Sequence, residues 1–428
     1  MHYPAQIEIQ PLTAIPRAIV RVPGSKSITN RALILAALSS QKACTLEGCL
    51  DSDDTQVMLR CLQQLGFHIE RPTAAAIRLQ PCSGVIPNPS ADLFVGNSGT
   101  TMRFLTALLA LGQGRYRLDG VPRMRERPIQ DLLDALGQLG VKAYSENHND
   151  CPPVIVETKG LTGGNVKIKG KVSSQFLSGL LMAAPFAPGD TQIEVDGPLV
   201  SVPYVDMTLA MMRQFGLRVE NEAHRLFRIP GKQIGGLDSY KIEPDASAAS
   251  YFFGAAAITG GTVTVLGLPR PSLQGDVRFV DVLEKMGCRV QRDDEGITVE
   301  GGKLRGIDVD MNDISDTVMT LAAVACFAEG PTTIRNVAHI RHKETDRLAA
   351  LATELRRLGA GVDERADGLT IHTAPLHAAL IQTYDDHRLA MSFAIIGLKI
   401  PGIVIAQPAC VAKTYPAFFE DLERLRLS

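Results

Sequence analysis

The sequence lacks an excess of charge of either sign. Its 44 Lys and Arg residues are balanced by 46 Asp and Glu, which leaves a formal net charge of −2. Because nucleic acids and anionic lipid surfaces attract proteins through clustered positive charge, this balance favours neither partner. No apolar run approaches the roughly 18 residues that cross a bilayer. The chain is therefore predicted to bind neither nucleic acid nor membranes.

The sequence also lacks Trp and the patterns that bind metals. Its eight cysteines form no C-x-x-C pair, and there is no H-E-x-x-H motif and no Cys/His cluster. No secretory signal is seen at the first residues, so the cysteines are predicted to be reduced packing thiols of a cytoplasmic protein. No metal site is expected.

The sequence is rich in small, apolar helices that begin at polar residues. The predicted starts are Ser27, Ser98, Ser174, Asp245, Asp316 and Asp386. Successive starts are about 70 to 76 residues apart, and such a fixed period indicates repeated structural units. Six copies of one unit are therefore predicted. Since 428 residues exceed the usual size of one core, the copies are expected to form two domains.

The predicted boundary lies in the polar, glycine-rich residues 231–236, between the third and fourth copies. This gives an α/β (α+β) protein of two similar domains, 23–242 and the discontinuous pair 1–22 plus 243–428. The strands of residues 1–22 are expected to complete the sixth unit. Helices that are apolar on all sides should be buried, while sheets and amphipathic helices enclose them. The polar helix starts are expected to line a cleft between the domains.

The stretch 95–103 is typical of an anion-binding helix start. Ser98 can cap the helix, Gly99 lets a ligand approach the backbone, and Arg103 adds positive charge. An ordinary capped core helix is the alternative for this stretch taken alone. The first three starts are rich in serine and basic residues, whereas the last three begin with Asp. This difference suggests that one half mainly holds anions and that the other also supplies carboxylates for proton transfer.

Seven motifs, spread over nearly the whole chain, resemble those of the 5-enolpyruvylshikimate-3-phosphate (EPSP) synthase family of enolpyruvyl transferases. They occupy residues 23–31, 96–103, 122–129, 173–177, 343–347, 386–388 and 412–414. Each motif alone is weak, but their shared order and spacing make the resemblance specific. The resemblance implies two domains of three βαβαββ units each, the inside-out α/β barrel of that family.

The resemblance also implies a reaction and its substrates. The family transfers the enolpyruvyl group of phosphoenolpyruvate to the 5-hydroxyl of shikimate 3-phosphate and releases phosphate, on the way to chorismate and the aromatic amino acids. It needs no metal or organic cofactor, and a monomer is expected. Both substrates are polyanions, which accounts for Lys and Arg at several helix starts.

Motif positions imply which residues contact each substrate. For shikimate 3-phosphate they are Lys26, Ser27, Arg31, Ser173, Ser174, Gln175, Ser201, Asp316, His339 and Lys343. For phosphoenolpyruvate they are Lys26, Gly99, Arg127, Gln175, Arg347, Arg388 and Lys413.

The catalytic residues implied by the resemblance are Asp316 as proton acceptor, Glu344 as proton donor and Lys26 between the two substrates. Asp316 also has a purely structural interpretation, as the N-cap of a buried helix. Three positions depart from the common family pattern. His339 replaces an Asn, Ser98 an Ala and Phe104 a Pro, whereas Gly99 is retained as in glyphosate-sensitive members.

Two alternatives remain. The UDP-N-acetylglucosamine enolpyruvyl transferases share the fold and the donor, but they carry Lys-Asn near the start and a reactive Cys in a loop. Here Ser27 follows Lys26, and residues 115–127 contain no Cys. The second alternative is a repeat scaffold that binds an anionic partner without turnover. Such a scaffold would not need Asp316 and Glu344 together with seven separated cations.

Overall fold

The computed structural model describes residues 3–39 and 42–426, so the predicted domain ends at residues 1 and 428 lie outside the described residues. Contacts along the chain divide it into two compact units. We call Gly24–Ile242 the continuous unit, and Met1–Pro23 with Glu243–Ser428 the split unit. The observed boundaries lie at 23/24 and 242/243, and the predicted ones were 22/23 and 242/243.

The chain begins with two short strands of the split unit, β1 (Gln6–Glu8) and β2 (Arg17–Val20). The continuous unit then repeats one order of elements, in which a strand and a helix alternate twice before a hairpin. Its elements are α1 (Lys26–Leu38), β3 (Cys44–Glu47), α2 (Asp53–Gln64), β4 (Ile69–Thr73), β5 (Ala76–Leu79), β6 (Ser90–Phe94), α3 (Gly99–Leu109), β7 (Gln113–Asp119), α4 (Gln130–Gln138), β8 (Lys142–Ser145), β9 (Val154–Lys159), β10 (Gly164–Lys169), α5 (Ser174–Ala183), β11 (Thr191–Asp196), α6 (Val202–Gln214), β12 (Glu220–Glu222), β13 (Leu226–Ile229) and β14 (Ser239–Lys241).

The split unit follows the same order, except that its first strand, β2, lies earlier in the chain and that no hairpin follows α12 within the described residues. Its remaining elements are α7 (Ala246–Thr259), β15 (Thr262–Leu266), α8 (Phe279–Met286), β16 (Arg289–Arg292), β17 (Gly296–Glu300), β18 (Asp308–Asp310), α9 (Val318–Ala325), β19 (Thr332–Arg335), α10 (Arg347–Arg357), β20 (Gly361–Arg365), β21 (Gly368–His372), β22 (Ala379–Ile381), α11 (His387–Gly397), β23 (Ile403–Ala406) and α12 (Phe418–Arg424).

The described strands of the continuous unit form three four-stranded sheets. Their orders are β14-β3-β5-β4, β6-β7-β9-β8 and β10-β11-β13-β12. In each sheet the first two strands are parallel and the others are antiparallel. A parallel pair needs a crossover, which α3 and α5 provide within their units. The first sheet differs because its first strand, β14, is the last element of the continuous unit in sequence and pairs with β3 near the beginning of that unit.

The described strands of the split unit form two four-stranded sheets and one of three strands. Their orders are β16-β17-β15-β2, β18-β19-β21-β20 and β1-β23-β22. Strands β1 and β2 were both expected to complete the sixth unit. Strand β1 pairs with β23 in that unit, whereas β2 pairs in parallel with β15 and so begins the fourth unit. The sequence prediction was wrong for β2, because strand pairing is non-local and no pattern within residues 17–20 specifies it.

Six helices carry the cores of the two units, and they were expected to be buried. All residues of α3 and α11 are buried, as are all but the first two of α1. These helices are rich in Ala, Leu and Met and are apolar around their whole circumference, so no face is left for water. In the continuous unit α3 packs against α5, and in the split unit α11 packs against α9 and α7.

Three of the six predicted helix starts are N-caps in the structure. The side chain of Ser98 accepts from the Thr101 amide of α3, that of Asp245 from the Ala248 amide of α7, and Asp386 caps α11. Such caps satisfy amides that the helix leaves unbonded.

The other three starts differ. The caps of α1 and α5 are Ser25 and Ser173, one or two residues before the predicted Ser27 and Ser174. Asp316 lies in a 3₁₀ helix, Asn312–Thr317, and does not cap α9. The cap interpretation of Asp316 is wrong, because the N-cap residue of α9 is Thr317 and Asp316 lies inside the 3₁₀ helix, where two arginines contact its carboxylate.

Candidate functional site

The predicted site residues of the continuous unit lie at the starts of its buried helices. At the start of α1, the Ser25 hydroxyl accepts from the Ile28 amide at 3.4 Å. Lys26 follows, and its Nζ lies 3.3 Å from Oδ2 of Asp54. This ion pair is largely buried, with side-chain exposures of 12% for Lys26 and 5% for Asp54. Lys26 is therefore held at the helix start.

Arg31 joins four helices of the continuous unit. Its Nε donates to Thr208 Oγ1 of α6 at 2.7 Å, and one Nη donates to the Ser27 carbonyl of α1 at 3.0 Å. The other Nη donates to Ser178 Oγ of α5 at 3.4 Å and to the Tyr204 carbonyl at 3.1 Å. The guanidinium also lies 5.1 Å from the centre of the ring of Phe104 in α3. These contacts leave Arg31 only 1% exposed.

All of these partners are neutral. Among residues 3–39 and 42–426, no carboxylate pairs with Arg31. Burial lowers the pKa of Arg31 to about 10, so it stays charged at neutral pH. A buried charge without an opposite charge is costly, and a bound anion would remove much of that cost. Arg31 is therefore suited to bind an anion.

Gly99, at the start of α3, leaves room for two guanidinium groups. A Cβ atom on Gly99 would lie 2.5 Å from Nη2 of Arg127 and 2.8 Å from Nη1 of Arg103. Arg127 donates to the carbonyl and side-chain oxygens of Asn97 at 3.1 and 3.2 Å. Arg103 donates to the Pro128 carbonyl at 3.0 Å. The absence of a side chain at Gly99 thus allows these arginines to lie against the helix start.

The remaining predicted residues of this unit lie at the starts of α5 and α6. Ser173 caps α5, where its hydroxyl accepts from the Gln175 amide at 3.2 Å. Ser174, the first residue of α5, is buried. Ser201 precedes α6 in a left-handed conformation, with φ of 53°. We call this group the Arg31 cluster; its residues are Lys26, Ser27, Arg31, Ser173, Ser174, Gln175 and Ser201.

The split unit contains a second buried arginine, Arg347, whose partners are carboxylates and not neutral groups. Arg347 begins α10 and is 1% exposed. Its Nε lies 2.7 Å from Oδ2 of Asp386, its Nη2 2.9 Å from Oε2 of Glu344, and its Nη1 3.2 Å from Oδ1 of Asp316. Burial acts to lower the pKa of Arg347, but the charges of Asp386, Glu344 and Asp316 outweigh burial and raise it.

Two further cations complete this group. Nη2 of Arg388 lies 2.7 Å from Oδ2 of Asp316, and its Nη1 donates to the Tyr251 hydroxyl at 3.2 Å. Nζ of Lys413 lies 3.8 Å from Oε1 of Glu344. Asp316 thus lies between two arginines, and Glu344 between Arg347 and Lys413. We call Asp316, Glu344, Arg347, Asp386, Arg388 and Lys413 the Arg347 cluster.

His339 lies beside this cluster and is held in its neutral form. Its Nε2 is 2.9 Å from Ser315 Oγ, and the residue is 6% exposed. Burial, followed by the charge of Lys343, lowers the pKa of His339 to about 3. A neutral imidazole can both donate and accept a hydrogen bond, as the Asn common in the family can. Lys343 itself directly follows the 3₁₀ helix Ala338–His342 and is half-buried.

Sequence reasoning missed Asp54 and Asp276, and it missed the ion pair of Asp386. Asp54 pairs with Lys26, and Asp386 pairs with Arg347. Asp386 could have been found, since it begins the motif at 386–388. Asp276 accepts a hydrogen bond from Ser247, and burial, followed by the charge of Asp316, raises its pKa to about 6. Nothing in the sequence around Asp276 indicates this proximity.

Among residues 3–39 and 42–426, no group of three or more His, Cys, Asp and Glu side chains could hold a metal ion. None of the helices described for the chain combines the length and the apolar character that a membrane crossing requires.

The sequence matches the family model described as EPSP synthase (3-phosphoshikimate 1-carboxyvinyltransferase) over residues 12–422. A relative with the latter name from Nostoc punctiforme is 52% identical over 96% of this chain and 97% of its own length. One from Serratia proteamaculans is 48% identical over 98% of both chains. EPSP synthase from Acinetobacter baumannii superposes with a TM-score of 0.82 at 25% identity, over 98% of each chain. The predicted fold class and family resemblance are confirmed by these matches.

Proposed function

The chain belongs to the EPSP synthase family, and on that premise we propose how its two clusters divide the reaction. The protein transfers the enolpyruvyl group of phosphoenolpyruvate to the 5-hydroxyl of shikimate 3-phosphate and releases phosphate. This step belongs to the shikimate pathway of aromatic amino acid biosynthesis. Transfer to UDP-N-acetylglucosamine is not favoured, because the relatives at about half identity carry the name of the first activity.

The Arg31 cluster is proposed to bind shikimate 3-phosphate. The observation that carries this proposal is Arg31, a buried cation whose described partners are all neutral. Helix starts provide free amides and hydroxyls around it, and both stabilise a phosphate or carboxylate. The residues proposed from this unit are Lys26, Ser27, Arg31, Ser173, Ser174, Gln175 and Ser201.

Phosphoenolpyruvate is proposed to contact Arg127 beside Gly99, together with Lys26 and Gln175. A guanidinium can bind a carboxylate or phosphate through two parallel hydrogen bonds. From the split unit, we propose Arg347, Arg388 and Lys413 for phosphoenolpyruvate. Asp316, His339 and Lys343 of that unit are proposed for shikimate 3-phosphate.

Proton transfer is proposed to involve the two carboxylates of the Arg347 cluster. The attacking hydroxyl must lose a proton, and the methylene carbon of phosphoenolpyruvate must gain one. Asp316 pairs with Arg347 and Arg388, which fix the position of its carboxylate, and it is proposed to accept the proton of the hydroxyl. Glu344 pairs with Arg347 and Lys413. When phosphoenolpyruvate binds Arg347 and Lys413, its negative charge replaces that of Glu344 as the partner of the two cations. The protonated form of Glu344 then becomes more favourable, and it can donate its proton to the methylene carbon.

Phosphate release tests the activity directly. Purified protein should release phosphate from phosphoenolpyruvate with shikimate 3-phosphate and should not do so with UDP-N-acetylglucosamine. Phosphate release with UDP-N-acetylglucosamine but not with shikimate 3-phosphate would overturn the assignment.

Substrate-specific KM values test the residue roles. Arg127→Ala and Lys413→Ala should each raise KM for phosphoenolpyruvate far more than KM for shikimate 3-phosphate, because each removes a charge proposed for the first substrate. Arg123→Ala is the matched control, since Arg123 pairs with Glu126 in the same basic turn. Equal changes in both KM values would count against the roles.

A monomer in the cytoplasm is also proposed. All eight cysteines are free thiols, which is consistent with a reducing compartment. Sedimentation equilibrium of the purified protein tests the monomer, and fractionation of the source cells tests the location.

A further inference from the structure

The turn that carries Asp386 has an unusual backbone. It connects β22 to α11, and two of its residues, Tyr384 and Asp385, have positive φ angles of 53° and 54°. Residues other than Gly rarely adopt this left-handed backbone conformation, and it persists where surrounding contacts enforce it. Asp386 follows directly and pairs with Arg347, while its Oδ1 also accepts from the Arg388 amide at 2.9 Å. Through Asp386, the turn therefore contacts both the side chain of Arg347 and the backbone amide of Arg388.

Glu354 of α10 supplies contacts that enforce the turn. The residue is fully buried, at 0% exposure. Its Oε2 accepts from the Gln382 amide at 3.0 Å, and its Oε1 accepts from the Tyr384 hydroxyl at 2.7 Å. Nε of Arg357 lies 3.0 Å from Oε2 and balances the charge. Burial, followed by the hydrogen bond to Glu354, raises the pKa of Tyr384 to about 12, so its hydroxyl remains a donor at neutral pH.

Glu354 and Arg347 act on the turn from the same side of one helix. They are seven residues apart in α10, about two helical turns, so their side chains share a face. Arg347 binds the end of the turn through Asp386, and Glu354 binds its beginning through Gln382 and Tyr384. The turn is thus fixed to α10 at two points.

We propose that Glu354 and Tyr384 are positioning residues for phosphoenolpyruvate binding. By fixing the turn, they orient Asp386 and, through it, Arg347 and the start of α11 that carries Arg388. The inference rests on the proposed roles of Arg347 and Arg388. Neither Glu354 nor Tyr384 contacts substrate in this scheme, so their loss should change the geometry of the two guanidinium groups and leave the shikimate 3-phosphate residues of the continuous unit unaffected.

The test compares Tyr384→Phe, Glu354→Gln and a matched control. Tyr384→Phe removes one hydroxyl from a side chain that is 40% exposed, so the protein should still fold, with a small loss of Tm from the lost hydrogen bond to Glu354. It should raise KM for phosphoenolpyruvate about fivefold and KM for shikimate 3-phosphate by less than about twofold. Glu354→Gln also loses the charge and should have a larger effect in the same direction. Tyr144→Phe removes a similar hydroxyl contact, to Glu157 in the continuous unit, and should change neither KM.

Arg388→Lys separates failure of this inference from failure of the proposed roles. If Arg388→Lys raises KM for phosphoenolpyruvate and both turn variants leave it unchanged, the turn does not position the arginines and the inference is overturned alone. Equal rises in both KM values of the turn variants would likewise overturn it, as a general structural effect. If Arg388→Lys leaves KM for phosphoenolpyruvate unchanged, the role of Arg388 fails and the inference fails with it.

Discussion

Two buried arginines of this protein have opposite electrostatic surroundings. Arg31, in the continuous unit, donates only to hydroxyls and backbone carbonyls. Arg347, in the split unit, contacts Asp316, Glu344 and Asp386. Both residues are 1% exposed, so the difference lies in their partners and not in their burial.

The difference has consequences for how each region binds an anion. Desolvation of a charge costs several kcal/mol unless an opposite charge compensates it. Arg31 has no such compensation from its neutral partners, and we propose that a bound anion provides it. The Arg347 cluster already compensates its cations, so a substrate anion must compete with carboxylates. In the proposed mechanism, that competition connects substrate binding to proton transfer by Asp316 and Glu344.

The largest effect is expected from removing one carboxylate of the Arg347 cluster. Asp316→Asn cannot accept a proton, and kcat should fall by about 10²–10⁴. Because Asp316 is an ion-pair partner of Arg347 and Arg388 and not a cap, Tm should fall as well. Steady-state kinetics and thermal unfolding measure both effects.

Asp313→Asn is the control for that variant. Asp313 lies in the same 3₁₀ helix, is about half exposed and pairs with Arg278, so its replacement should change kcat little. Near-normal turnover of a folded Asp316→Asn protein would show that the acidic partners of Arg347 serve only to balance charge. The comparison of the two regions would then carry no catalytic meaning.

Replacing each arginine by Met compares the two regions directly. Arg347→Met leaves three carboxylates, of which Glu344 and Asp386 are buried, without their shared cation, and the free energy of unfolding should fall by about 3–5 kcal/mol. Arg31→Met removes hydrogen bonds and also an uncompensated charge, so its loss should be smaller, about 1–2 kcal/mol. Urea unfolding of both variants measures the difference, with Arg60→Met on an exposed face of α2 as the control.

Equal losses of unfolding free energy for Arg31→Met and Arg347→Met would contradict the comparison. In activity assays Arg31→Met should nevertheless raise KM for shikimate 3-phosphate strongly, since the cation proposed to bind that anion is gone.

Gly99→Ala tests whether the guanidinium of Arg127 needs a fixed position beside the start of α3. The new Cβ would lie 2.5 Å from Nη2 of Arg127, so the guanidinium must move. KM for phosphoenolpyruvate should rise about tenfold, with a smaller change for shikimate 3-phosphate. Gly137→Ala in α4 is the control, because a Cβ there meets nothing within 4 Å, and it should leave both KM values unchanged. An unchanged KM in Gly99→Ala would show that Arg127 needs no fixed position.

The smallest effect is a pH dependence that belongs to the split unit. An unfolded His has a pKa near 6.5, whereas burial lowers the pKa of folded His339 to about 3. Between these values the unfolded state binds a proton that the folded state does not, so the unfolding free energy falls as the pH drops through this window. His339→Asn should reduce that loss.

Asp276 has the opposite dependence, because its raised pKa lets the folded state bind a proton first as the pH falls below about 6. Asp276 is present in both proteins, so the difference between wild type and His339→Asn isolates the histidine. Urea unfolding at pH 7 and pH 4.5 measures this difference, with the exposed His377→Asn as control. Parallel curves for wild type and His339→Asn would show that His339 is not buried in its neutral form.

Local patterns in the sequence predicted the repeated helices and several of their ends. Ser98, Asp245 and Asp386 cap helices as expected, because capping depends on a side chain and the amides two or three residues ahead of it. The same holds for the burial of α3 and α11, which follows from their apolar composition. Motif order predicted the family, which the comparisons confirm.

The sequence by itself therefore determined the repeat, the buried helices, three of their six caps and the family, since each depends on neighbours along the chain or on motif order. Only the tertiary structure decided the partners that come from far away. Strand β2 joins β15, and Asp316 meets Arg388 from 72 residues away instead of capping its own helix. The neutral surroundings of Arg31 and the acidic ones of Arg347 also arise in this way. Such pairings depend on packing between distant segments, and packing leaves no local pattern in the chain.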